Sequence, residues 1–457
     1  MKVQTVSDGM KHIHFIGIGG SGMTPLAEIV RQMGYTVTGS DQSESDNVLR
    51  LRRNGVQVFI PQCAENLGSA HLVVYTAAVR RDNPELAAAF ERDMPIMERA
   101  DLLGWITRCF PHTVSVSGTH GKTTTSSMIS QIFLQANADP TVFIGGRLPL
   151  IEANGHSGKS DLMICEACEF QDHYLCLSTE TAVILNVDAD HLDYFKTLDG
   201  VIASFRTFAA KASGKVVYNA DDDNTCQAVQ HIPQEKKVSF GLDASADFSA
   251  LHPQLKNGYG TYTLLHHGKP VIDIALGVPG EHNISNSLAA AAAAYINGAT
   301  FEQIRDGLRD FGGAGRRFEK IGTWKGVTIV DDYAHHPTEI EATIRSAKGM
   351  GFSRVIAVFQ PFTYSRTQLL LKEFADALSK ADEVFVSEIM ASREINEWGV
   401  RSEDITDQMS NAQTVPTFEE ICELLLPQLK EGDLVLTMGG GNVYLCARML
   451  AKRLQQA

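Results

Sequence analysis

Short apolar, β-branched runs alternate along this chain with amphipathic stretches whose apolar residues recur at helical spacing. Ile13-His14-Phe15-Ile16 opens into the glycine turn Gly17-Ile18-Gly19-Gly20-Ser21-Gly22-Met23. A helix follows, with Leu26, Ile29 and Val30 on one face. Thr36 to Asp41 reads as a second strand with an acidic end, which completes a βαβ unit, and Leu72 to Ala77 reads as a further strand. Beyond residue 111, strand-like runs recur at Thr113 to Val116, Leu162 to Glu166 and Thr181 to Asp188, and an alanine-rich helix is predicted over 287–295. From about Arg316, strands at 327–331, 354–359, 383–387 and 433–438 alternate with helical stretches. The alternation predicts an α/β protein of three domains, 1–111, 112–315 and 316–457, each with a mainly parallel sheet flanked by helices.

The strongest chemical signal lies between a strand and a helix. Gly118-Thr119-His120-Gly121-Lys122-Thr123-Thr124 follows the run at 113–116 and precedes Ser126 to Phe133. Strand, glycine turn, Lys-Thr and helix form the layout of a phosphate-binding loop, in which backbone N–H groups and the helix N-terminus face phosphate oxygens. Lys122 has the reach for outer phosphates, and the Thr123 hydroxyl is placed for Mg²⁺. The general pattern sets a glycine five positions before Gly121, where this chain has Val116, so the loop is a shortened variant. A plain glycine turn with a surface lysine is the alternative.

In open parallel sheets ligands collect beyond the carboxyl ends of the strands. Glu166 and His191 are expected at such ends beside the loop. A carboxylate and the Thr123 hydroxyl suit magnesium, and His191 is a candidate for a second metal or for orienting phosphate. The GxGxxG turn at Gly17 to Gly22 fits a dinucleotide with Asp41 on a ribose, a diphosphate carried by the substrate, or a bare turn. In the third domain, Asp331 to Thr338 and Phe359 to Thr367 also follow strands. Arg316 and Arg317 suit an anionic ligand.

Composition narrows the partners. The 457 residues are 44% hydrophobic and 21% charged, and the formal net charge is −14. An acidic chain lacks the basic face that a nucleic-acid backbone needs, so none is expected as a partner. The opening Met-Lys-Val-Gln-Thr-Val-Ser-Asp lacks an apolar leader, and no apolar run is long enough to span a bilayer. A cytoplasmic protein with no membrane partner is expected. The eight cysteines are scattered, and Cys165-Glu166-Ala167-Cys168 has no matching second pair, so reduced thiols are the default.

As an ordered set, these motifs closely resemble the Mur ligases of bacterial cell-wall synthesis. The set runs from Gly17–Met23 and Gly118–Thr125 through Glu166-Ala167, Asn186 to His191, His282-Asn283 with Asn286, and Arg316-Arg317-Phe318-Glu319 to Asp331–Thr338. The resemblance covers nearly the whole chain. It implies a Rossmann-like N-terminal domain for a UDP-sugar, a central P-loop ATPase-like domain, and a Rossmann-like C-terminal domain for the amino acid. The His120 form of the loop, Asp-Asp-Tyr-Ala-His-His-Pro-Thr-Glu and Tyr-Ser-Arg-Thr look most like the members that join L-alanine to UDP-N-acetylmuramate. Members that attach a recycled murein tripeptide to the same nucleotide sugar are the alternative.

What the resemblance implies is specific. ATP would be bound by Gly118, Thr119, His120, Gly121, Lys122, Thr123 and Thr124, with His282, Asn283 and Asn286 toward the nucleotide and Arg317 and Asp332 from the third domain. Thr123, Glu166 and His191 would hold Mg²⁺. Gly17, Gly19, Gly20, Ser21 and Gly22 would cradle the UDP diphosphate, with Ser40, Asp41 and Thr76 near it. Tyr333 and Arg366 would contact substrate. Lys122, Glu166, His191 and His335 would be catalytic, the two histidines being alternative bases. A monomer or homodimer is expected.

Two departures stand out. Many relatives carry histidine, then often arginine, where this chain has Phe362 and Thr363. Many also have a more acidic run than Cys168-Glu169-Phe170-Gln171-Asp172. A nicotinamide-dependent oxidoreductase would leave the Gly-Lys-Thr loop idle, and a nucleotide sensor would bind ATP without releasing phosphate. A folate or other amide ligase would not need the first glycine loop.

Overall fold

Five short parallel strands form the N-terminal sheet, in the order Gln57–Phe59, Thr36–Ser40, His12–Ile16, Leu72–Tyr75, Ile96–Glu98. Ile13, Phe15 and Ile16 of the middle strand are fully buried, as a parallel strand covered on both faces requires. The helix Thr24–Gln32 turns Leu26, Ile29 and Val30 into that core. In this computed structural model all residues are described except Met1, Gln4, Ala77, Arg393 and Ala457, with Asp193 described by its backbone alone. The strand expected over 72–77 ends at Tyr75, and Ala77 lies outside the described residues.

The central sheet runs Ala153–His156, Thr141–Leu148, Leu162–Glu166, His112–Ser117, Thr181–Ile184, Val216–Asn219, Lys237–Gly241, and on into Phe248–Lys256. These pairs are parallel except the first hairpin. The run expected as a strand through Asp188 leaves the sheet after Ile184. Its next residues are drawn instead onto the glycine loop: Asn186 accepts the Thr119 and His120 N–H groups at 3.1 and 2.7 Å. The alanine-rich helix is longer than expected, His282–Ile296, and Ala289 to Ala294 are fully buried. Residues this small let the helix be enclosed on every side.

The N-terminal sheet and the central strands from Ala153–His156 to Lys237–Gly241 belong to one compact unit, Met1–Leu251 with Leu264–Ile272 and Asn286–Leu308. Trp105, Ile106, Tyr174 and Phe205 share its core. Asn154 Nδ2 donates to the Ser21 carbonyl at 2.7 Å, and Thr107 Oγ1 accepts the Ser178 N–H at 2.9 Å.

The second unit comprises His252–Thr263, Asp273–Ser285 and Arg309–Ala457. Its six-stranded sheet runs Glu319–Trp324, Val327–Asp332, Asp433–Met438, Arg354–Phe359, Glu383–Val386, Ala412–Thr414, parallel except for the first pair. The four inner strands are the ones the apolar runs predicted; the two edge strands are only partly buried and carry no such run. Helix starts follow local chemistry. Thr417 and Glu420 form a reciprocal cap, and Pro337 opens the helix Pro337–Lys348 behind a His336–Glu339 capping box. Among the described residues no helix is long and apolar enough to cross a membrane.

Candidate active site

The Gly118–Thr124 loop is built as the Gly-Lys-Thr pattern requires. Gly118 and Gly121 have φ of +145° and +84°, a region open to glycine. A Cβ on Gly118 would lie 2.9 Å from that of Leu185, and one on Gly121 2.6 Å from Asn286 Oδ1. Gly121 ends the loop and Lys122 begins the helix Lys122–Gln135. Asn186 clamps the loop's far side, with Nδ2 donating to the His120 carbonyl at 3.1 Å, and Thr119 Oγ1 receives the Asp188 N–H at 2.8 Å.

Within this loop Lys122 Nζ donates to the carbonyls of Gly118 at 2.6 Å and Thr119 at 3.0 Å, and to Glu169 Oε1 at 3.0 Å. Burial alone would lower the ammonium's pKa, but the acidic groups around it, Glu169 foremost with Cys168 and Glu166, together outweigh it and the group is pushed up to about 12. The Thr123 hydroxyl donates to Glu166 Oε2 at 2.7 Å, and the Gly145 N–H donates to the same oxygen at 2.8 Å. A Cβ on Gly145 would fall 2.6 Å from Glu166 Oε2 and 2.8 Å from Thr123 Oγ1, so glycine keeps the space beside this oxygen pair clear.

His191 follows a different course from Glu166. It sits at φ +54°, packs on Phe170 with ring centroids 4.9 Å apart, and places Nε2 3.8 Å from Glu169 Oε1. Glu169 thus contacts both Lys122 and His191. Sequence reasoning passed over it, because a glutamate in an irregular turn carries no periodic mark; its place in the run after Glu166-Ala167 was the available signal.

The N-terminal glycine turn is equally tight. Gly17 has φ +77°, and the Gly17 and Ile18 N–H groups donate to the Ser40 carbonyl at 2.8 and 2.9 Å. Asp41 Oδ2 accepts the Gly19 N–H at 2.8 Å, and there is no room for a Cβ on Gly19. Thr76 lies against Gly17, and Arg99 lies against Gly22. The Ser40 hydroxyl turns into the core and donates to Glu85, a buried carboxylate that also meets His14 and Asn66. Ser40 therefore meets the turn through its backbone.

In the second unit Arg316 is the organising cation. Its guanidinium donates to Asp331 Oδ2 at 3.0 Å and to the carbonyls of Gly439 and Gly441 at 2.7 and 2.8 Å, and lies over the Tyr333 and Tyr444 rings. Arg317 also covers Tyr333. Asp332 accepts the Phe318 and Ala334 N–H groups, each at 2.7 Å, yet burial pushes its carboxyl up to about 6 against the pull of Arg317. Burial brings the His335 imidazole down to about 4 despite Glu339, so it is neutral at pH 7. Its Nδ1 faces the Tyr333 carbonyl at 3.0 Å, which assigns the ring proton to Nδ1 and leaves Nε2 as the basic atom. Arg366 is near enough to oppose its protonation. Phe362 packs near His335, and Thr363 takes φ +68° to receive the helix Tyr364–Leu369. His282 opens the alanine-rich helix, and Asn283 Nδ2 donates to the Pro279 carbonyl at 2.6 Å.

Comparison with known proteins matches this architecture along the chain. Residues 12–111 match the Mur ligase family catalytic domain, 116–294 the Mur ligase middle domain, and 316–441 the Mur ligase glutamate ligase domain. The UDP-N-acetylmuramate–L-alanine ligase of Agathobacter rectalis is 44% identical, over 97% of this chain and 98% of its own. The enzyme of the same name from Caldanaerobacter subterraneus subsp. tengcongensis is 43% identical over 95% and 96%. The crystal structure of UDP-N-acetylmuramate-alanine ligase from Thermotoga maritima superposes with a TM-score of 0.85 at 28% identity, covering 97% of this chain and 99% of that one. A murein peptide ligase from Psychrobacter arcticus shares the fold with a TM-score of 0.76 at 24% identity, covering 98% of this chain and 99% of that one. With three successive domains matched and relatives about 44% identical over nearly the full length, the chain belongs to the Mur ligase family.

Proposed function

We propose that the protein joins L-alanine to the lactyl carboxylate of UDP-N-acetylmuramate, converting ATP to ADP and phosphate, in the cytoplasmic synthesis of peptidoglycan precursors. One observation carries the reading: the 44% identity, over 97% of this chain, with a relative named for that activity. The loop geometry supports it. A carboxylate is a poor acyl donor, so a phosphoryl group from ATP first converts it to an acyl phosphate. The amine of alanine then attacks the carbonyl carbon, and phosphate leaves from the tetrahedral intermediate.

The N–H groups of Gly118 to Thr124 and the Lys122 ammonium are suited to the outer phosphates of ATP. Thr123 Oγ1 and Glu166, 2.7 Å apart and all oxygen, fit a hard divalent cation, and Gly145 leaves space beside them. Magnesium, when bound, offsets charge on the transferred phosphoryl group. His191 is the candidate for a second ion. Gly17 to Gly22, braced by Ser40 and Asp41 and lined by Thr76, are assigned to the UDP diphosphate. His282, Asn283, Asn286, Arg317 and Asp332 are assigned to the nucleotide, and Tyr333 and Arg366 to substrate. A base must take the amine proton, and the neutral His335, with Nε2 unprotonated, is chemically ready for it; His191 is the alternative. The working form is read as a monomer or homodimer.

Phosphate release from Mg-ATP tests the reading, with UDP-N-acetylmuramate present and alanine, glycine, serine or murein tripeptide added in turn. Release that needs both the nucleotide sugar and alanine is expected. Release only with tripeptide transfers the protein to the recycling reaction, and none with any acceptor sinks the ligase reading.

A further inference from the structure

An ammonium has three protons to donate, and Lys122 has all three committed, two to loop carbonyls and one to Glu169. Glu169 comes from outside the loop, and its second oxygen lies 2.9 Å from the same Nζ. The carboxylate is only 3% exposed. It is held by a turn whose Gln171 and Asp172 both take left-handed φ, 53° and 59°. Asp172 is fixed there by its N–H to the Glu169 carbonyl at 2.9 Å and by the Tyr194 hydroxyl at 2.8 Å. Glu169 is thus placed with a rigidity that a casual surface ion pair lacks.

We propose that Glu169 is a positioning residue that holds Lys122 in the phosphate loop and gives it up to the arriving nucleotide, so that binding exchanges a buried carboxylate for a phosphate. The inference rests on the nucleotide reading of the Gly118–Thr124 loop. The two carbonyl contacts belong to the loop and travel with it, so the carboxylate is the partner a phosphate oxygen displaces. Separating a buried carboxylate from its ammonium is costly. That cost is subtracted from nucleotide affinity in the protein as it stands.

The test is the dissociation constant of ADP without divalent metal, which keeps any metal contact of Glu169 out of the result. Glu169→Gln keeps the shape and removes the charge, and it is expected to tighten ADP about 3- to 10-fold, from the worth of a charged over a neutral hydrogen bond. Glu169→Asp keeps the charge but shortens its reach to Nζ, and it too is expected to tighten ADP, by less. In a Lys122→Ala background the glutamine substitution should change the constant less than about twofold, the signature of two residues acting as a coupled pair. Unchanged or weaker ADP binding in Glu169→Gln overturns the proposal. So does tightening that persists without Lys122, or an aspartate variant that binds like the parent, since either means a through-space charge effect. UDP-N-acetylmuramate affinity, measured alongside, should stay constant and reports that each variant is folded. A parent protein that binds no ADP removes the nucleotide reading itself.

Discussion

His335 and Asp332, three positions apart in the chain, are shifted in opposite directions by burial. His335 drops from 6.5 to about 4 on folding, so its contribution to stability is complete above pH 6.5 and is lost as pH falls toward 4. Asp332 rises from 3.8 to about 6, so its contribution grows as pH falls from 6 toward 3.8. His335→Gln should therefore lessen the loss of unfolding free energy between pH 7 and pH 4.5. We expect a difference of roughly 1–3 kcal/mol, reduced from the full linkage value because the side chain is 21% exposed. Urea unfolding at the two pH values checks this, and equal losses in parent and variant would count against it. That Lys122, Thr123 and Glu166 come together was legible because a glycine loop between a strand and a helix is a local device: six or so consecutive residues specify its turn, and a neighbouring strand end supplies the carboxylate. Glu169 and Arg316 were harder to assign. Their roles depend on partners 47 and 125 positions away along the chain, Lys122 and the Gly441 carbonyl.

The inner strands announce themselves at the level of elements because a parallel strand buried on both faces must be continuously apolar. Val327–Asp332, Arg354–Phe359 and Asp433–Met438 are buried along nearly their whole length around the apolar stretches Ile329-Val330, Val355 to Phe359 and Leu434 to Leu436, and their polar residues gather near the strand ends. The strand Lys269–Pro279 is not buried in this way, with exposed and half-buried positions over its first half, and it left no recognisable run. The strand Thr141–Leu148 brings Gly145 to Glu166, a juxtaposition that only sheet pairing creates. Gly145 has no left-handed backbone to strain, so Gly145→Ala should leave thermal stability nearly unchanged. Its Cβ would displace the Glu166 carboxylate and the Thr123 hydroxyl. We expect the magnesium concentration for half-maximal phosphate release to rise at least about tenfold, in line with the loss of one ligand contact to an ion. A parent-like magnesium titration would show that the glycine is not clearing space for the metal.

For the whole molecule, the N-terminal and central sheets share a single core, with Trp105 buried in it and set edge-on to Tyr35. The other two tryptophans, Trp324 and Trp398, lie in the second unit. In a Trp324→Phe/Trp398→Phe variant, urea should shift Trp105 fluorescence at the same midpoint that abolishes binding of both UDP-N-acetylmuramate and ADP, since one core unfolds as one unit. Two separated midpoints would mean that the sheets are independent.

The amino-acid sequence by itself determined the buried inner strands and the helices that follow the glycine turns, the two glycine turns and the Lys-Thr pair. Each of these rests on interactions within a few consecutive residues, or on an apolar run that must be buried wherever it lies. Tertiary structure decided which distant side chains meet. It set Glu169 on Lys122, carried Asn186 out of its strand to clamp the loop, and turned the Ser40 hydroxyl away from the glycine turn toward Glu85. Such pairings depend on strand order and on the burial of unlike groups together. A buried charge or hydroxyl takes the nearest partner that the packed chain supplies, and no spacing along the sequence specifies which one that will be.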